Sequence, residues 1–70
     1  MEKVNWSGMV WELIHTGLHP AQIARKLHVN RTTVIRWRDY NCEPFWTTGN
    51  RLIGYWSSVT GKSQKNLPML

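Results

Sequence analysis

Seventy residues with one cysteine, Cys42, make one small domain (1–70) that no intrachain disulfide can staple, so a compact apolar core must hold it. A net charge of +5 points to an anionic partner, with nucleic acid ahead of a membrane surface. No apolar run approaches the ~20 residues of a membrane-spanning helix, and Met1 to Trp6 lacks a leader's apolar stretch, which together set a cytoplasmic expectation.

The first helix is expected over about 5–16. Asn5 suits its N-cap, Trp6, Val10, Leu13 and Ile14 fall on one stripe at helical spacing with Met9 at the edge, and Gly17 can end it in a left-handed conformation. Gly8 lowers intrinsic helicity, so this helix needs tertiary packing.

A second helix begins at His19-Pro20, where proline's missing N–H costs nothing, and ends near His28. Ile23, Ala24 and Leu27 share its inner face. The small Ala24 allows close approach of a following helix.

His28, Val29 and Asn30 read as a turn, with Val29 directed back to the core. The third helix follows Asn30 and runs to about 39. Thr32, Thr33, Val34 and Ile35 carry low helix propensity and on local preference favour a strand. The Val34/Trp37 spacing and the turn before it decide for a helix.

Residues 41–44 form a loop, with Glu43 extended because it precedes Pro44. A fourth helix is expected over about 47–59 on Leu52, Ile53 and Trp56, extended by Tyr55 and Val59 and closed by Gly61. The tail holds at most one more helical turn before an extended end, and its apolar Leu67, Met69 and Leu70 suggest docking onto something. The fold class is therefore all-α, a compact bundle of four to five helices.

Two short helices joined by a three-residue break, the second rich in arginine, form the pattern of a helix-turn-helix over 20–39, whose second helix enters the DNA major groove. Arg25, Lys26, Arg31, Arg36 and Arg38 put five of the nine basic residues in fourteen positions. With Val34 and Trp37 inward, Arg31, Thr32, Ile35 and Arg36 face outward as candidate base contacts. Arginine can grip guanine O6 and N7 with paired hydrogen bonds, the alternative for Arg31 and Arg36 being contact with phosphates only; Thr32 can donate to a base or meet a thymine methyl, and Ile35 either meets a thymine methyl or simply flanks the core. Gln22, Thr33, Arg38 and Asn41 are candidates for phosphate contacts.

These residues also resemble a known family. Ile23-Ala24, Leu27, Val29, Val34 and Trp37 are similar to the helix-turn-helix of the lambda-repressor/Cro-like (XRE-type) regulators. Gly49, Leu52, Ile53, Trp56, Thr60, Gly61 and Lys62 resemble the later stretch and tail of short, single-domain phage and prophage members, so the likeness covers about 5–67. The chain departs from the family pattern at His28, where glycine is usual, and at Pro20, where a glutamine is frequent; Gln22 lies near enough to substitute. The resemblance implies a transcriptional regulator, a repressor that blocks polymerase by occupying its operator.

Because one module makes few base contacts, a homodimer on a pseudo-palindromic duplex site is expected. The C-terminal helix and tail (47–70), with Trp46, Trp56, Leu67 and Met69, are the expected dimer surface. Two readings from other classes are a protein–protein adaptor or antitoxin-like partner on the same fold, and an excision accessory factor that bends DNA. His15, His19, His28 and Cys42 lack the paired short spacing of a zinc site, and no residues form a catalytic constellation. No metal, cofactor, small-molecule substrate or enzymatic activity is expected.

Overall fold

The structure, a computed structural model, describes residues 3–70. Four α-helices form in chain order: α1 (Trp6–His15), α2 (Pro20–Leu27), α3 (Arg31–Tyr40) and α4 (Trp46–Thr60), followed by one 3-10 turn, Gln64–Asn66. The protein is an all-α bundle. α3 packs against both α1 and α2, while α4 closes over α1 and, more lightly, α2.

Each helix starts where local chemistry favours it. Asn5 caps α1 by accepting from the Gly8 N–H at 2.9 Å. A side chain at Gly8 would collide with that cap, since an added Cβ would lie 2.6 Å from the Asn5 amide nitrogen. Pro20 occupies the first turn of α2, and the Gln22 side-chain oxygen reaches back to accept from the His19 N–H at 2.8 Å. Asn30 precedes α3 with extended backbone, but its side chain makes no capping bond. α4 begins one residue earlier and ends one residue later than the apolar spacing indicates, with Gly61 at φ 72° closing it.

The core is one cluster. Met9, Val10 and Leu13 from α1, Ile23 and Leu27 from α2, Val34 and Trp37 from α3, and Leu52 and Trp56 from α4 are all buried together. Met9, at the edge of the expected stripe, is fully enclosed. The β-branched run Thr32–Ile35 stays helical because Val34 is fully buried and Trp37 nearly so in this cluster, and that burial outweighs the few tenths of a kcal/mol per residue that local preference opposes.

The tail returns to the start of the chain. Val4 and Met69 form an isolated antiparallel bridge, the Asn5 N–H donates to the Pro68 carbonyl at 2.8 Å, and the Leu70 N–H donates to the Lys3 carbonyl at 2.9 Å. Leu67 packs on the core. Part of the tail's apolar character is thus spent within the chain.

No helix among the described residues is long and apolar enough to cross a membrane.

Candidate nucleic-acid interface

α2 and α3 are separated by three residues, and the first sets their relation. His28 takes the left-handed conformation (φ 57°, ψ 43°), and the N–H of Val29 donates to the Ala24 carbonyl at 3.0 Å. This is the helix-ending geometry that glycine adopts most readily. Val29 then turns inward and packs against the core. Ala24 is buried beneath the turn, as a small residue must be for two helices to approach closely.

α3 presents two unlike faces. Val34 and Trp37 are buried, whereas Arg31, Thr32 and Arg36 are exposed and Ile35 is half-buried. At about 100° per residue, Thr32 and Arg36 lie opposite the buried pair, with Arg31 and Ile35 beside them. All four candidate base-contact residues therefore share one outward sector. Asp39, the carboxylate that ends the basic run, falls in the same sector at the C-terminal end.

The four candidate phosphate residues divide. Gln22 is exposed; its carbonyl oxygen is engaged at His19, and its amide N–H groups have no hydrogen-bond partner among the described residues. Thr33 is half-buried at the edge of α3, in a cleft it shares with Arg36, Pro44 and Phe45.

Arg38 is held within the molecule. Its Nε and one terminal nitrogen grip both oxygens of Asp39 at 2.7 and 3.0 Å, and the guanidinium carbon lies 5.4 Å from the centre of the Trp11 ring. The hydrogen bond from Arg38 draws the Asp39 carboxyl below its ordinary range and in return raises Arg38 further. A phosphate contact by Arg38 would compete with this exposed ion pair.

Asn41 is also redirected. It takes the left-handed C-cap of α3 (φ 52°), is half-buried, and its side-chain oxygen accepts from the Ser7 N–H at 2.9 Å. The Ser7 hydroxyl donates to the Arg38 carbonyl. Together these bonds pin the end of α3 to the start of α1. Asn41 is a fixture that orients α3, and no periodic signal marks that pairing across 34 positions.

The expected dimer surface needs one clear correction. Trp56 is fully buried and its indole Nε1 donates to Glu12 Oε2 at 2.6 Å, so it belongs to the core. Leu67 is half-buried against the same core, and Met69, though 41% exposed, is engaged through its backbone with Val4. Trp46 does stand outward at 82% exposure, beside Phe45 at 88%, and Tyr40 is 76% exposed at the end of α3. Phe45 precedes the apolar stripe of α4, so helical spacing does not mark it.

No group of three or more histidine, cysteine, aspartate or glutamate side chains among the described residues could hold a metal ion. Cys42 is an exposed free thiol.

Compared with known proteins, the chain matches no protein-family model, no curated protein and no solved structure. The functional reading rests on its own residues.

Proposed function

We propose that the protein is a sequence-specific binder of duplex DNA, a transcriptional regulator of the helix-turn-helix type that reads the major groove with α3. The observation that carries this reading is the face of α3 opposite Val34 and Trp37, which offers Arg31, Thr32, Ile35 and Arg36 outward from a helix anchored on its other side. An anchored helix with two arginines in one outward sector has the geometry for reading base edges. The likeness of Ile23-Ala24, Leu27, Val29, Val34 and Trp37 to the lambda-repressor/Cro-like pattern supports the same reading. On it, Gln22 and Thr33 reach phosphates and set the register of α3 along the groove.

A homodimer fits this function. The molecule's longest extent is 29 Å, short of the ~34 Å between successive major-groove half-sites. The exposed Phe45 and Trp46 supply an apolar surface for the second copy. They equally suit an adaptor that binds another protein, and that second reading is favoured only if the pair proves dispensable for dimerisation.

Arg36→Ala tests the assignment. It is expected to weaken binding to the preferred site by about 1–3 kcal/mol and relax the preference at one base pair. A uniform loss across unrelated sequences would show Arg36 to be a phosphate contact and remove it from base reading.

A further inference from the structure

A different part of the surface concentrates positive charge. Between α2 and α4 two shallow clefts share Lys26 and Tyr55 in their lining and together form one groove. Arg25 and His28 border one end and Arg51 the other. Arg25, Lys26, His28 and Arg51 are all exposed. No residue of α3 lines this groove, so it is separate from the face carrying Arg31 and Arg36.

The groove is also free of local acid. The sequence contains no carboxylate side chain anywhere in 13–38 or in 44–70, the stretches that supply both walls. Arg38 and Lys62, by contrast, are each paired with a carboxylate, Asp39 and Glu12. Neutral groups suited to phosphate oxygens stand among the cations: the Tyr55 hydroxyl, the Ser58 hydroxyl and the Gln22 amide.

We propose that this groove is a separate, sequence-independent binding site for the phosphodiester backbone of nucleic acid. A membrane surface is the less fitting occupant, since basic residues hold to one more firmly with exposed apolar side chains beside them, and the leucines of this groove, Leu18 and Leu27, are half-buried and buried. The large exposed apolar residues Tyr40, Phe45 and Trp46 line neither part of the groove. A molecule whose α3 occupies one duplex keeps this second face open to another segment. The proposal goes beyond the α3 reading and does not require it.

The test uses the full-length chain and a labelled 20-base-pair duplex of arbitrary sequence. The Arg31→Ala/Arg36→Ala variant is expected to keep a weak, sequence-independent affinity. With three groove cations engaged, that affinity falls by roughly 40-fold between 50 and 200 mM salt, from a slope of about −0.9 per phosphate neutralised. Adding Arg25→Gln, Lys26→Gln and Arg51→Gln is expected to reduce the residual affinity at least tenfold with the helical circular dichroism unchanged. Lys26→Gln alone lowers the salt slope by about 0.9.

The proposal is overturned if Arg31→Ala/Arg36→Ala abolishes all duplex binding, or if the groove substitutions leave the residual binding intact. It is also overturned if phosphatidylserine vesicles or polyglutamate displace the duplex from the groove at equal charge concentration. Retention of sequence preference by Arg31→Ala/Arg36→Ala, with the groove substitutions lowering affinity alike for every sequence, would instead refute the α3 reading and leave the groove standing.

Discussion

Glu12 shows how one side chain serves both core and surface. One carboxylate oxygen accepts from the buried Trp56 indole and the other from the Lys62 ammonium, each at 2.6 Å. Glu12→Ala should destabilise the protein by about 1–3 kcal/mol, chiefly because it strands the Trp56 N–H without an acceptor. Glu12→Gln keeps an acceptor for the indole and should cost about 1 kcal/mol or less, the scale of an exposed ion pair. Urea denaturation of both variants separates the two terms, and equal losses would contradict the account. His28 offers the opposite sign. It holds a left-handed conformation that glycine adopts without a Cβ clash, so His28→Gly should raise stability by up to about 1 kcal/mol. A lower melting temperature for that variant would mean that the imidazole makes a contribution beyond the turn.

At the scale of elements, α4 is tied to α1 by packing and by this same carboxylate. The Lys62 hydrogen bond lowers the pKa of Glu12, the Trp56 hydrogen bond adds to that, and partial burial opposes both. A carboxyl depressed in the folded state contributes stability that is fully present above its unfolded pKa, about 4.3, and disappears as pH falls through the lower folded value. The α1–α4 tie should therefore weaken on acidification below about pH 4.3 and stay level from there to neutrality as far as Glu12 is concerned. The acid slope should flatten in Glu12→Gln; an unchanged slope would assign it to other carboxylates. Gly49 fixes the same helix against α1 at another point. It is buried, and a Cβ there would meet the Trp6 ring at 3.3 Å and the Pro44 ring at 3.4 Å. Gly49→Ala should gain helix propensity yet lose packing, for a net loss of about 1 kcal/mol or more, measurable by thermal melting. A gain would show that Trp6 can move aside.

Helices and core were legible in the sequence because apolar spacing reports burial directly. Trp6, Leu13, Ile23, Leu27, Val34, Trp37 and Leu52 all lie where their spacing indicates. The outward sector of α3 follows from the same periodicity, since fixing Val34 and Trp37 inward fixes Arg36 outward. What periodicity cannot report is the partner of a polar group far along the chain. The Asn41–Ser7 and Trp56–Glu12 hydrogen bonds span 34 and 44 positions. Neither Asn41's fixture role nor Trp56's use of its indole N–H could be read from local pattern. The surroundings of Arg38 are legible only in part for a related reason: Asp39 is its neighbour in sequence, but the Trp11 ring beside it comes from another helix.

For the whole molecule, the account depends on two copies cooperating on one duplex. Phe45 and Trp46 leave a large aromatic surface in water, the kind of patch that a monomer rarely keeps without a partner. Sedimentation at micromolar concentration should give a dimer, and Phe45→Ala/Trp46→Ala a folded monomer with weakened site binding. A dimer unaffected by those substitutions would move the interface elsewhere and favour a protein partner for this pair. The central claim is sequence-specific reading by α3, and selection of binding sites from a random duplex pool at about 150 mM salt tests it most directly, since nonspecific phosphate attraction is weakened there. The account predicts an inverted repeat, with enrichment lost in Arg31→Ala/Arg36→Ala. No enrichment by the wild-type protein, or an identical motif selected by that variant, would contradict it.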